Sequence, residues 1–406
     1  LKIEVARNSK HLRCKVKPYS ERFNLTPMKS LILFAYPPET DGLSLQGDML
    51  YRALNENSQD AVACHWQSDF EKEWLYRSFK PDVVIGIGFW GYTPQLILHP
   101  QKFGIPPVPW LVADGWVANY QDVIGSLPLV FVTSDWVKQT YERDGVNTKN
   151  FVTAHVGIEP DVFRPIPKTD ARVGNLREMW GVKPGEKVLL TMGGDVTSKG
   201  AQEVFRALAK IGEQFPNWKY ICKAWDEERD HEEEEIRLLE ELGLPKDNIV
   251  FLSGSWSRDF MPYVLSAADI YVAPSRLEGY GMIQVEAQAC GIPVISIDAM
   301  GPKETIMHGK TGFLARVDST VDLGSELVYP EMGFEAQGRV VFDKPKTFAY
   351  RANVDELAEY LYTLFTDDEK RLQMGDAARR HAVENFHYRN LTGQMTQTIK
   401  DRLHLS

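Results

Sequence analysis

Glu278 and Glu286 flank a glycine turn, Gly279-Tyr280-Gly281, in a chain of 406 residues. An ionised carboxylate accepts hydrogen bonds and donates none. It repels phosphate, so its natural partners beside a nucleotide are hydroxyls: a ribose diol for one acid, a sugar hydroxyl for the other. A helix opening near Gly281 leaves the amides of Met282 and Ile283 unpaired, and their partial positive charge suits a phosphate. Glu286 then falls one turn beyond Met282 on the same helix face. Lys199, followed by Gly200, adds an ammonium able to meet the charge a departing diphosphate accumulates. Without this frame the two glutamates would be ordinary solvated side chains.

Such residues need a rigid edge, and the surrounding pattern supplies one. An apolar strand at 270–273 runs into Pro274-Ser275-Arg276-Leu277 and the turn, then a helix, then Gly291-Ile292-Pro293 and a second apolar strand at 294–297. Strand, helix and parallel strand make a right-handed βαβ unit, whose turn lies at the carboxyl edge of the sheet. Open α/β sheets bind ligands at that edge. Further strands are expected at 188–192, 220–223, 249–252 and 312–315. An earlier series at 31–35, 62–65, 83–86, 108–112, 129–132 and 151–154 alternates with helical stretches. Two doubly wound units follow, and the chain is long enough for both. Amphipathic helices are expected over 226–241, 354–365 and 369–386.

Composition narrows the classes. Lys and Arg number 46 against 56 Asp and Glu, for a net charge of −10, which opposes a broad nucleic-acid-binding face. Cys14, Cys64, Cys222 and Cys290 are widely spaced without a CxxC pair, as reduced thiols of a cytoplasmic protein would be. No apolar run reaches spanning length and no signal-peptide pattern is present. Residues 1–29 hold eight Lys or Arg against Glu4 and Glu21. They read as a basic extension with a hairpin turning at Asn8-Ser9, able to meet acidic lipid at a membrane surface or to lie as a solvated edge.

The frame Pro274-Ser275-x-x-Glu278-Gly279-x-Gly281, with its Glu-x7-Glu spacing, resembles the donor-sugar motif of family 4 glycosyltransferases, retaining enzymes of the GT-B fold. Val196-Thr197-Ser198-Lys199-Gly200 resembles that family's Lys-Gly diphosphate loop, with Gly194 where an Arg is usual. Tyr36-Pro37-Pro38-Glu39-Thr40-Asp41-Gly42 resembles its Pro-Pro-x-x-Gly-Gly loop, with Asp41 in place of the first glycine. Gly157 to Pro165 and Gly301 to Leu314 resemble further segments of the family.

The resemblance implies an α/β protein of GT-B type: two doubly wound Rossmann-like domains facing each other across a cleft. Residues 30–168 would form the acceptor domain, with helix 388–406 packing back on it. Residues 169–387 would form the nucleotide-sugar domain, with an insertion at 318–350 expected to be a hairpin or flap near acceptor or a partner subunit. Lys199 and Glu278, with Asp114 standing where the family often has a His, would be catalytic. Gly42, Gly200, Gly281, Met282 and Ile283 would shape the donor seat, with Ser253 near the base and Glu286 on the ribose. Lys223 would stand in for the missing Arg, and Arg276 would be a further donor contact. Trp90, Tyr92, Asp114 and Trp116 would line the acceptor site.

The co-substrate would be a nucleoside-diphosphate sugar, a UDP-sugar ahead of GDP-mannose, and the acceptor a carbohydrate or glycoconjugate. No other cofactor is implied, and the absence of an Asp-x-Asp pair suggests no metal-bridged diphosphate. Two further readings stay open: a binding protein or epimerase of the same fold, and a phosphorylase relative using a Schiff-base cofactor. Gly86-Ile87-Gly88-Phe89-Trp90-Gly91 spells GxGxxG after a strand, as in a dinucleotide oxidoreductase. It follows a mid-domain strand and lacks the acidic residue some 20 positions on, so it carries little weight.

Overall fold

The computed structural model describes residues 27–89, 93–113, 115–224 and 232–405, together with the backbone outline of Phe89 and Glu232 alone. The expected hairpin at Asn8-Ser9 therefore lies outside the described residues.

Apolar β-branched and leucine runs bounded by turns become two parallel sheets. The first half runs β1 (Lys29–Phe34), α1 (Gly42–Glu56), β2 (Asp60–His65), α2 (Asp69–Ser78), β3 (Val83–Phe89), α3 (Gln95–Lys102) and β4 (Trp110–Val112). It continues with α4 (Gln121–Gly125), β5 (Val130–Val132), α5 (Asp135–Arg143) and β6 (Phe151–Thr153). The second half runs α6 (Ala171–Met179), β7 (Lys187–Met192), α7 (Ala201–Ile211), β8 (Trp218–Lys223), α8 (Glu232–Glu241), β9 (Ile249–Leu252) and α9 (Met261–Ala267). Then come β10 (Ile270–Val272), α10 (Met282–Ala289), β11 (Val294–Ile297), α11 (Pro302–Thr305) and β12 (Gly312–Ala315). The chain closes with β13 (Val317–Val328), β14 (Gly338–Ala352), α12 (Val354–Thr366), α13 (Asp368–Asn385) and α14 (Tyr388–Leu403).

The sheet orders are β2-β1-β3-β4-β5-β6 and β12-β11-β10-β7-β8-β9. In the first, Leu31 of β1 faces both Val62 and Val84; in the second, Leu189 of β7 faces both Tyr220 and Ile270. Strand order reverses beside β1 in one sheet and beside β7 in the other, and the loops after β7 and β10 diverge at that switch point, where α/β sheets open a crevice. Central strands are covered on both faces, so Leu31, Ile32, Val188, Leu189 and Leu190 are fully buried. Helix α14 returns to the first half: Asn57 Nδ2 donates to the Arg389 carbonyl at 2.8 Å, and the Tyr388 hydroxyl donates to Glu56 Oε2 at 2.6 Å.

The first two glycines of the GxGxxG stretch prove to be packing positions within a strand, while Trp90 and Gly91 lie outside the described residues. Gly86 and Gly88 lie inside β3, and a Cβ at Gly86 would stand 2.7 Å from Leu96 Cβ, one at Gly88 2.2 Å from Thr93 Oγ1. The glycines let α3 press onto the strand, and the dinucleotide reading loses its turn.

The insertion is a long antiparallel hairpin, β13 with β14. It rises from the second half and crosses to the first. Asn119 Nδ2 donates to the Met332 and Gly333 carbonyls, each at 3.3 Å, and Lys346 pairs with the buried Asp144. Val328, Met332, Phe342 and Phe348 cover Trp116 there as a small apolar core.

Candidate functional site

Helix α10 begins as the sequence requires. Gly281 has φ +94°, a conformation few side chains tolerate, and no side chain caps the helix. The amides of Met282 and Ile283 have no partner among the described residues. Gly200 likewise precedes α7 at φ +84°, and a Cβ on it would stand 2.4 Å from the Pro274 carbonyl oxygen. Only glycine lets the β7 loop lie against the β10 turn, and that contact brings Lys199 to Glu278. Lys199 Nζ donates to Glu278 Oε2 at 2.7 Å, and Ser275 Oγ approaches the same oxygen at 3.5 Å.

Beside this pair a cavity of about 140 Å3 opens between the two halves. Thr40, Gly42 and Leu45 line it from the first half; Lys223, Trp256, Arg258, Met282, Ile283 and Glu286 line it from the second. Gly42 and Met282 meet across it, since a Cβ on Gly42 would touch Met282 Sδ at 3.6 Å. Lys223 is buried with its ammonium 5.2 Å from the centre of the Trp256 ring. Glu286 is 4 % exposed. Burial raises its carboxyl pKa above the ordinary value, and Arg258 works against that rise.

Arg258 is held on every side. Its Nη1 donates to Glu286 Oε1 at 3.0 Å and its Nε to Glu159 Oε2 at 2.7 Å. Its guanidinium lies 4.6 Å from the centre of the Phe163 ring. Burial opposes its charge, but Glu286 and Glu159 outweigh that and keep its pKa above the ordinary value. Arg52 of α1 reaches the other Glu159 oxygen at 2.8 Å and Asp48 at 2.8 Å.

The first-half loop behaves differently. Asp41 accepts from the Leu43 and Ser44 amides at 2.9 and 3.0 Å and so caps α1 with its own carboxylate. Two of the amides a phosphate would use there are already occupied, and the capping acid is negative.

Of the expected donor set, Gly42, Lys223, Met282, Ile283 and Glu286 line the cavity, and Lys199, Gly200, Gly281 and Glu278 stand at its edge in the adjoining loops. Ser253 is partly buried in the loop after β9 and does not line it. Arg276 departs from expectation: it turns away to Glu203, with Nη2 to Oε1 at 3.0 Å, and Arg351 of β14 shares the same oxygen at 3.0 Å. Its carbonyl also accepts from the Tyr350 amide at 2.8 Å. Arg276 ties the hairpin to the turn between β10 and α10. Trp116 departs too, 6 % exposed beneath the hairpin with Phe342 edge-on at 4.9 Å, and it offers no surface to an acceptor. Trp90, Tyr92 and Asp114 lie outside the described residues. Sequence reasoning passed over Trp256 and Arg258; the available signal was their place just beyond β9, at a sheet's carboxyl edge.

Residues 174–326 match the family model described as glycosyl transferases group 1. Among curated relatives, a GDP-mannose-dependent alpha-(1-6)-phosphatidylinositol monomannoside mannosyltransferase of Mycolicibacterium smegmatis is 25% identical over 254 residues, 61% of this chain and 55% of that protein. A D-inositol 3-phosphate glycosyltransferase of Pseudarthrobacter chlorophenolicus is 28% identical over 198 residues, 49% of this chain and 46% of that protein. The chain thus spans about half the length of these relatives. Among solved structures, Anabaena Alr3699/HepE in complex with UDP and glucose superposes with TM-score 0.67 at 18% identity, covering 92% of this chain and all of that one. Sucrose-phosphate synthase from Thermosynechococcus elongatus superposes with TM-score 0.71 at 15% identity, covering 93% of this chain and all of that one. With its two six-stranded parallel sheets, the chain has the two-domain, Rossmann-like GT-B fold.

Proposed function

We propose that this protein is a retaining, metal-independent glycosyltransferase that moves a sugar from a nucleoside-diphosphate sugar to a hydroxyl of a carbohydrate or glycoconjugate. The observation that carries the reading is the convergence of an uncapped helix start, a lysine–glutamate pair and a buried glutamate at one switch point. The diphosphate sits against the Met282 and Ile283 amides, where the helix dipole favours negative charge. Lys199 leaves Glu278 to meet the β-phosphate and stabilises the leaving group. Glu278, so released, accepts from a hydroxyl of the transferred sugar, and Glu286 accepts from the ribose. Retention follows when the departing phosphate oxygen takes the acceptor proton on the same face, with no enzymic nucleophile.

The cavity is smaller than the several hundred Å3 that enclose a ligand of this size, so the halves must part for the donor to enter. A UDP-sugar is proposed ahead of GDP-mannose as the donor. Incubation with UDP-sugars and with GDP-mannose, with and without sugar acceptors, tests the reading by nucleotide release. Release that depends on acceptor is the expected result; no release with any pair rejects transfer. Tight binding without turnover supports the second reading, a nucleotide-sugar binding protein or epimerase, which Gly194 favours by bringing no side chain to a loop where a second cation would assist departure.

The reading extends to a membrane-apposed acceptor. Phe70 and Trp74, one turn apart on α2, are 89 % and 60 % exposed. Aromatic side chains so exposed suit the interfacial region of a membrane. Co-sedimentation with acidic vesicles should fall severalfold in Phe70→Ser/Trp74→Ser; equal sedimentation of the variant and the parent would dismiss this extension.

A further inference from the structure

The ion pairs around Glu286 continue well beyond the donor seat. From α1 of the first domain they run Asp48–Arg52–Glu159–Arg258–Glu286, alternating in sign, at 2.8, 2.8, 2.7 and 3.0 Å. The chain ends inside the cavity on one oxygen of Glu286, leaving Oε2 without a protein partner among the described residues. Arg258 has no slack: two glutamates, the Phe163 ring and Met49 Sδ, 3.7 Å from Nη2, fix its plane.

A buried carboxylate without a cation would take up a proton and turn from a pure acceptor into a part-time donor. A buried carboxylate whose rotamer were free would lose part of each hydrogen bond to the entropy of fixing it.

We infer that Arg258 is the positioning residue of the donor site: it fixes the Glu286 carboxylate in place and aims its free oxygen at the ribose diol, and it does so only when Glu159 and Arg52 of the first domain are docked against it. This inference rests on the donor reading and adds a specific coupling to it. The grip on the diol depends on a residue that acts through Glu286 and on contacts between the two domains. Parting of the halves would strip Arg258 of Glu159, loosen Glu286 and release the ribose, so donor exchange and cleft opening become one event. Glu159 is suited to the junction. Burial pushes its carboxyl toward the neutral form, but Arg258 and Arg52 prevail and hold it below the usual glutamate range, charged at neutral pH.

The test separates the diol from the rest of the nucleotide. Binding of UDP and of 2′,3′-dideoxyuridine diphosphate is measured by calorimetry, with GDP and its dideoxy analogue as the second pair. The wild-type protein should prefer the ribose form by about tenfold or more, as two hydrogen bonds to a charged acceptor imply. Arg258→Gln should bind the ribose form at least about tenfold more weakly, leave the dideoxy form within about threefold of wild type, and so erase the preference. Arg258→Lys, which can reach one glutamate but not both in fork geometry, should restore part of it. Arg52→Gln, which keeps Arg258 and removes the cation on the far side of Glu159, should lower the preference by a few fold.

Equal losses for both nucleotide forms in Arg258→Gln would mean a phosphate contact or a folding defect and would overturn the inference. So would an unchanged preference in Arg52→Gln, which also decides the matter if Arg258→Gln does not fold. A wild-type protein that binds none of the four nucleotides overturns the donor reading and this inference together; wild-type binding with either failed variant pattern overturns only the inference.

Discussion

Two helix starts face one another across the cavity, α1 from the first domain and α10 from the second, and they end in opposite ways. Asp41 takes the Leu43 and Ser44 amides, so α1 is capped and negatively tipped. Gly281 offers α10 no cap, and Lys199, Lys223 and Arg258 gather near its start. The same element in the same fold is closed in one half and open in the other. The lesson is that the features suited to an anion gather in the second domain. The first contributes a wall, through Thr40, Gly42 and Leu45, and the far end of the Arg258 ladder.

The comparison breaks most severely at Gly200. Gly200→Ala forces a Cβ into the Pro274 carbonyl and a left-handed φ onto a residue that resists it. Urea unfolding should show a loss of about 3 kcal/mol. An unchanged midpoint would mean the two loops are not fixed by that contact. Next is Lys199→Met, which should lower turnover on the order of a hundredfold, with dideoxy and ribose nucleotides still distinguished. Activity within a factor of two of the parent would remove Lys199 from the leaving-group role.

Arg276→Gln separates structure from binding. It leaves Glu203, whose carboxyl burial already raises, with Arg351 alone. A stability loss of about 1 to 2 kcal/mol is expected, with nucleotide affinity within about twofold, because the lost partner is a buried ion rather than a ligand. A large fall in affinity at constant stability would return Arg276 to the donor set. The smallest effect sharpens the contrast between the helix starts. Asp41→Ala should cost about 1 kcal/mol as a lost cap. Asp41→Ser should keep the cap, drop the charge and bind UDP slightly more tightly. Weaker binding by Asp41→Ser would show that the first-domain acid is a ligand contact.

Much of this was legible in the chain. Alternation of short apolar strands with amphipathic helices located all twelve strands of the two sheets to within a few residues. Glycine at 281 announced a helix start that needed a left-handed residue. The misplacements have a common physical origin. Arg276 and Trp116 sit in segments that look ligand-facing, yet the β13–β14 hairpin, arriving from 40 to 230 residues later in the chain, covers one and pairs with the other. Arg258 escaped notice because a lone arginine after a strand means nothing until Glu159, 99 residues away, and Glu286 close around it.

By itself, then, the sequence determined the two sheets, the turn that opens α10 and the residue types able to hold phosphate and hydroxyls, because backbone periodicity and glycine's conformational freedom are local. Tertiary structure alone decided which charges face the cavity and which are used up against each other. The pairing of Lys199 with Glu278, of Arg276 with Glu203 and of Arg258 with Glu159 and Glu286 joins segments far apart in the chain. A charge that must be buried takes whichever partner the folded packing brings within reach.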